Sequence, residues 1–513
     1  MLARVQSCSV LGVEGIPIIV EVDNHPTLNK TFIVGLPDAA VKESEQRVFS
    51  ALKNSGFRTP RGGTVINLAP ADIRKEGSAL DLPIAIGLLA ASMQLTELKS
   101  HEYVIVGELG LDGSLRPVAG ALPMALAARD RGMKGILLPA INAEEAGIVP
   151  GIDVIPITTL NEAFDFMSGT IDIAPHVTDV QSAFSQARNG LLDFVDVKGQ
   201  AHVKRALTVA AAGGHNVVMI GPPGTGKTML ASRLPGILPD MTFEEALETT
   251  RVYSVANALG GDSRLVVQRP FRAPHHTATT VSICGGGHGM RPTPGEVSMA
   301  HNGVLFLDEL PEFSRATLEV LRQPLEEGVV RIRRVSYSTT FPARVTLVCA
   351  LNPCPCGYRT DPRRRCKCSQ GEIQRYMARL SGPLLDRIDI HTDVPGLDFN
   401  ELSREGTSGP TSAEIRTVVQ EARDRQRARY GANLYCNAHL DSKALRKHCH
   451  LTESGKKLLE VAMEHIGMSA RAYDKVLRVA RTIADLDASE TVQDQHVAEA
   501  VQYRSLDRER LEA

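Results

Sequence analysis

The chain has 513 residues, 43% hydrophobic and 23% charged, with a formal net charge of −2. That length calls for about three domains rather than one core, and the composition is that of an ordinary soluble globular protein. A charge so near zero leaves any polyanionic partner to local patches. No apolar run reaches the span of a membrane helix before a polar residue or proline breaks it.

The N-terminus, MLARVQSCSVLGVEGIPIIVEVDN, alternates like a strand and lacks the small-residue cleavage site of a signal peptide. The expected compartment is the cytoplasm, where clustered thiols point to metal or catalysis rather than disulfides. Residues 1–168 carry short Val/Ile runs between Gly and Pro turns and read as a mixed α+β domain. INLAPADIRKEGSALDLPIAIGLLAAS passes from a strand through a loop into an apolar helix, and VIVGELGLDGSLRPVAG reads as a hairpin. Residues 169–190 are polar and read as a linker.

From 191 to 396, apolar strands such as NVVMI, GVLFL and RVTLVCAL alternate with helical segments, which predicts an α/β core. GPPGTGKT follows the first of these strands and opens a helix. Gly221, Gly224 and Gly226 allow backbone amides to curl around phosphates, with Pro222, Pro223 and Thr225 completing the loop. Lys227 reaches the β- and γ-phosphates, and the Thr228 hydroxyl meets Mg²⁺. GVLFLDEL ends a strand in two carboxylates, Asp308 for the magnesium and Glu309 for the attacking water. Asn352 ends the next apolar strand and can orient that water. Arg387, in LLDRIDI, is the expected cation offered to a neighbouring subunit's site. His275 and His276 are adjacent in a loop and read as structural, because such neighbours rarely converge on one ion.

Four of the nine cysteines lie in CPCGYRTDPRRRCKC. Cys354, Cys356, Cys366 and Cys368 can supply the thiolates of a closed zinc site, although C-x-C is tighter than the usual C-x₂-C; the other reading is four metal-free thiols. Such a clamp would fix the basic residues between the pairs, Arg363, Arg364, Arg365 and Lys367. EEGVVRIRRVSYSTTFPARV predicts a second basic element, a hairpin carrying Arg331, Arg333 and Arg334. The Gly-rich insert from Cys284 to Gly295 is expected beside it. These patches suit phosphate-backbone contacts; aromatics at 4% with no Trp argue against base stacking as the main mode. Residues 397–513 begin with the Ser/Gly-rich ELSREGTSGPTS and continue as an all-helical region. Its helices are expected to start at the capping-box pairs Thr411–Glu414 and Thr491–Asp494. Arg471 opens one of these helices, where it can touch the γ-phosphate; the other reading of Arg471, and of Arg387, is a surface ion-pair residue.

Read in order, these motifs resemble the AAA+ ATPases: GPPGTGKT as Walker A, LFLDE as Walker B, Asn352 as sensor 1, Arg387 as arginine finger and Arg471 as sensor 2. Val197, Gly199 and Gln200, in DFVDVKGQAHVKRAL, resemble the adenine-side segment. The run FRAPHHTATTVSICGGGHGMRPTPGEVSMAHNGVLFLDELPEF is similar to magnesium-chelatase-like members, and nearly the whole chain resembles the bacterial YifB/ComM competence-associated family. The resemblance implies a Lon-protease-like N-terminal domain, a central P-loop domain and a helical lid, using ATP and Mg²⁺. It also implies a homo-hexameric motor on single-stranded or branched DNA, working with recombination proteins and not at a membrane. The Lon-like nucleophile falls on Ala79, with Ser78 one residue away, and its lysine on Leu122, so the domain is expected to be a non-proteolytic scaffold. A chelatase-type remodeller of a protein partner is the main rival, and an ATP-dependent protease the weaker one.

Overall fold

A computed structural model of the protein describes residues 2–25, 30–60, 62–75, 77–96, 99–188, 190–260, 265–286, 292–334, 337–380, 382–396, 409–431, 436–466 and 469–504. Most of the Ser/Gly-rich stretch and the centre of the Gly-rich insert lie outside these residues.

The N-terminal alternation becomes two long antiparallel strands, Leu2–Leu11 and Glu14–His25, turning at Gly12 (φ +63°). The strand Gly63–Ala69 adds antiparallel to the second, and Phe32–Val34 adds parallel at the edge. Against this sheet lies the helix Asp81–Ala91, so apolar that every residue is buried. Its one charge, Asp81, is held by Arg47 through two hydrogen bonds of 2.9 and 3.1 Å. A parallel three-stranded sheet (Tyr103–Ile105, Gly135–Pro139, Asp153–Ile157) completes the domain. The expected hairpin is present as the pairing of Glu108 with Arg116 and Leu109 with Leu115.

The segment read as a linker is packed rather than extended. His176 Nε2 lies 2.6 Å from Glu144 Oε2, the Thr178 hydroxyl donates to the Glu144 carbonyl at 2.6 Å, and Val180–Ser185 is helical. Val180, Ala183 and Phe184 pack on the cluster around Leu122, Ala125 and Leu138. Spacing these apolar residues three and four apart gives one helical face, which the polar composition of the stretch hides.

The centre is a five-stranded parallel sheet in the order Phe271–Arg272, Val304–Leu307, Thr346–Leu351, Val217–Ile220, Ile390–Asp393. Strands of such a sheet are covered on both faces and therefore read as continuous apolar runs. The helix Phe243–Val255 joins this unit to the first: Met241, Ala246 and Leu265 share a core with Leu122 and Ala125, and Arg251 pairs with Glu14 at 2.8 Å. The C-terminal helices Ser412–Tyr430 and Ala470–Leu486 pack on the helix Ala201–Gly213, and Glu453–Ile466 and Asp494–Gln502 extend the same core. Among the described residues no helix is long and apolar enough to cross a membrane.

The Thr411–Glu414 capping box forms as expected. The other helix does not begin at Thr491. Val492 is held extended by a parallel bridge to Leu451, so the helix starts two residues later, capped by Gln493 and His496.

Candidate active site

The phosphate loop runs from the end of the Val217–Ile220 strand to the helix Lys227–Arg233. Gly224 and Gly226 have φ of +76° and +89° with open space around them, so conformation rather than room requires glycine. Gly221 is different: a Cβ there would lie 2.2 Å from the Val394 carbonyl oxygen. The Thr225 hydroxyl donates to the Pro222 carbonyl at 3.0 Å, tightening the turn. Pro223 completes it from outside, packed by the cysteine loop as described below.

Lys227 is buried, and its ammonium donates to the carbonyls of Gly221 (2.7 Å) and Pro222 (2.9 Å) and to Asn352 Oδ1 (3.3 Å). Burial holds its pKa below the usual lysine range, opposed by the charges of Asp308 and Glu309. The Thr228 hydroxyl donates to Asp308 Oδ2 at 2.7 Å. The two oxygens that a magnesium ion would need are therefore already adjacent, and the residues fit the ion. Glu309 is in the left-handed region (φ +50°), stabilised by its own amide donating to Asp308 Oδ1 at 2.9 Å. Its carboxylate is open to solvent and lies 3.6 Å from His276 Nδ1. The sequence therefore brings Lys227, Thr228, Asp308, Glu309 and Asn352 to one place, and the structure adds His276, which was read as merely structural.

On the adenine side, Val197 and Gln200 are buried, and Gly199 and Gln200 have φ of +58° and +56°. Gln200 Nε2 donates to the Pro395 carbonyl at 2.7 Å, and its buried Oε1 has no hydrogen-bond partner among the described residues. That orphan is an acceptor of the kind an adenine amine satisfies.

The two candidate arginines meet at a third residue. Arg387 and Arg471 both donate to Glu326 Oε1, Arg471 at 2.9 Å. Arg471 is thus placed beside Arg387. The sequence carried no sign of Glu326, which lies in an unremarkable charged helix.

Cys354, Cys356, Cys366 and Cys368 converge, all Sγ atoms lying within 4.8 Å of one another. The sulfurs of Cys354, Cys356 and Cys366 are 3.4–3.7 Å apart. A tetrahedron with metal–sulfur bonds of ~2.3 Å has edges of ~3.8 Å, so the residues fit zinc. Backbone amides of Tyr358 and Lys367 hold the Cys356 thiol down at about 6. Arg364 lies over the Tyr358 ring and donates to its hydroxyl at 2.8 Å; Arg363 reaches Asp361, and Arg365 and Lys367 are exposed. The basic hairpin forms, with Arg331 opposite Thr340, Arg333 opposite Ser338 and Arg334 opposite Tyr337. Arg331 and Arg333 are exposed, and the side chain of Arg334 lies outside the described part.

In the N-terminal domain Leu122 is fully buried and the Ser78 hydroxyl donates to the Glu108 carboxylate. No serine–lysine dyad forms from these positions.

A Walker-type phosphate loop, an Asp–Glu strand end and a parallel sheet in which one strand, Thr346–Leu351, separates the two define the class as a P-loop ATPase. Residues 193–402 match the family model of magnesium chelatase, subunit ChlI; residues 20–142 match that of subunit ChlI of Mg-chelatase, and 409–504 that of its C-terminal region. The YifB protein of Escherichia coli (strain K12) is 46% identical over 508 residues, covering 99% of this chain and 98% of its own. The competence protein ComM of Haemophilus influenzae (strain ATCC 51907 / DSM 11121 / KW20 / Rd) is 45% identical over 508 residues, covering 98% of each. Lon protease 2 of Bacillus subtilis (strain 168) is 26% identical over 125 residues, 24% of this chain and 22% of its own, which accords with a Lon-like N-terminal domain. The chain belongs to the YifB/ComM family of magnesium-chelatase-like AAA+ ATPases.

Proposed function

We propose that the protein is an ATP- and Mg²⁺-dependent ring motor, most simply a homo-hexamer, that moves on single-stranded or branched DNA and remodels recombination intermediates. The observation that carries this reading is a single strand, Thr346–Leu351. Its N-terminal end continues from the basic hairpin, and its C-terminal end leads through Asn352 into the basic cysteine loop. Both basic elements are therefore anchored on the strand whose end leads to Asn352, the partner of Lys227, so nucleotide state and polyanion contacts share one element.

In this reading Lys227 binds the phosphates, Thr228 and Asp308 hold magnesium, and Asn352 orients water whose proton Glu309 accepts. Bound magnesium would neutralise charge developing on the phosphates. Arg387 completes a neighbour's site, and Arg471 acts beside it. Zinc on the four cysteines fixes Arg363, Arg364, Arg365 and Lys367 against the DNA backbone, with Arg331, Arg333 and Arg334 on the hairpin. The name of the Haemophilus relative favours a role in competence.

The test is steady-state ATPase activity with no DNA, single-stranded DNA, duplex and a four-way junction across a salt series. Salt-sensitive stimulation, greatest with single-stranded or branched DNA, is expected. A rate indifferent to every DNA would sink the motor reading and leave remodelling of a protein partner, the reading the chelatase match favours.

A further inference from the structure

Glu326 is one carboxylate shared by two arginines, and its position makes more of it than an ordinary surface ion pair. The Arg387 side chain is 9% exposed and that of Arg471 57%. Burial holds Arg387 below its usual range; Glu326 opposes this, while Arg471 and Arg322 crowd it with like charge. Glu326, together with Asp386, offsets the like charge of Arg471 and Arg322 around this nearly buried guanidinium. The main chain at Arg387 is fixed: Asn216 Nδ2 donates to its carbonyl at 3.0 Å, and Asp389, two residues on, accepts from the Asn216 amide at 3.1 Å. Glu326, the carboxylate opposite the Arg387 side chain, is carried by a short helix.

That helix, Arg322–Glu327, ends at Gly328 (φ +66°) and continues directly into the basic hairpin. Glu327, the residue after Glu326, pairs with Arg331 on the hairpin's first strand. A displacement of the hairpin therefore pulls on the carboxylate that occupies Arg387. Arg387 is held by a neutralising partner in its own chain, and that partner is joined by two residues to an element built to meet a polyanion.

We infer that Glu326 is a positioning residue that restrains the Arg387 side chain until movement of the basic hairpin draws it away, coupling hydrolysis to occupancy of the hairpin. The inference rests on reading Arg387 as the cation given to a neighbouring subunit. Glu326 touches no nucleotide in this scheme; it acts through Arg387.

The test uses the full-length protein and three variants, E326Q, E326D and R387A, with single-stranded DNA as the probe. Loss of the restraint in E326Q should raise DNA-free turnover by about three- to tenfold and shrink the stimulation by DNA toward onefold. E326D, which keeps the charge, should restore most of the wild-type stimulation. R387A should lose at least about 100-fold in turnover with or without DNA. Unchanged unfolding midpoints identify the effects as local. If E326Q matches wild type in both rate and stimulation while R387A is inactive, the restraint is refuted and the finger reading survives. If E326Q is as inactive as R387A, Glu326 supports the arginine rather than restraining it, and the inference also fails. If R387A hydrolyses ATP normally, the finger reading fails and takes the inference with it.

Discussion

Gly357 stands directly against Pro223: a Cβ built on the glycine would lie 2.6 Å from Pro223 Cδ and 3.8 Å from Asn352 Cγ. The cysteine loop is thus the outer wall of the phosphate loop. Gly357 has φ of +84°, so a side chain there meets strain as well as contact.

G357V is expected to disturb the phosphate loop through Pro223 and Asn352 without replacing any residue of the nucleotide site. Overpacking and left-handed backbone each cost about 1–3 kcal/mol, part of which appears as weakened binding. ATP affinity, measured by fluorescent-nucleotide titration, should fall by about tenfold. Gly371, fourteen residues on, has open space around it and an ordinary φ, so G371A is the control expected to bind normally. Equal affinities for G357V and wild type would disconnect the loop from the nucleotide.

Glu309 is solvent-open, and its side-chain contact among the described residues is His276 at 3.6 Å, so changing it should spare folding and binding. E309Q keeps the shape and removes the proton acceptor. Turnover is expected to fall by about 10²–10⁴, with nucleotide affinity retained. K227A, by contrast, should lose affinity itself. Near-normal hydrolysis by E309Q would remove Glu309 from the role of base.

Purified protein, kept free of chelators, is expected to contain one zinc per chain by elemental analysis. The C354S/C366S variant should contain none and should unfold at a lower temperature, because binding energy at a structural site is folding energy. Gly357 links this loss to the phosphate loop, so the variant should also bind ATP more weakly. Well under one equivalent in the wild type would leave four thiols without a metal.

Much of the nucleotide site is legible in the sequence because its parts are local: a phosphate loop, a strand ending in Asp308 and Glu309, a strand ending in Asn352. Each motif lies at a strand end of one parallel sheet, and the sheet brings the ends together. What escaped reading is pairwise and long-range. His276 reaches Glu309 across thirty-three positions and Glu326 reaches Arg387 across sixty-one, with no periodicity or spacing to mark either. The packed segment at 169–190 was hidden because its apolar residues are sparse, and the late start of the last helix because a one-residue bridge at Val492 decided it. Propensity yields to tertiary pairing at such points.

Asp389 supplies a last test, because it is where the helical region grips the strand beside the phosphate loop. The carboxylate is buried, 3.5 Å from both Lys475 Nζ and His215 Nδ1. Burial raises its pKa, but Lys475 and His215 outweigh that and hold it well below the carboxylate range. Lys475 in turn is lowered to about 8, by burial first, with Asp389 resisting. A lysine whose folded pKa lies below its unfolded value of 10.5 loses its proton first in the native state, so its burial penalty is relieved as pH rises from about 8 toward 10.5. D389N removes the resisting charge and should drive the Lys475 pKa lower still. The variant is expected to be about 3–5 kcal/mol less stable than wild type at pH 7. Its stability should begin to climb with pH at a lower value than the wild type's, so that the gap narrows between pH 7 and 9. Urea denaturation at a series of pH values measures both. A gap that stays constant across that range would mean that Lys475 does not depend on Asp389 for its charge.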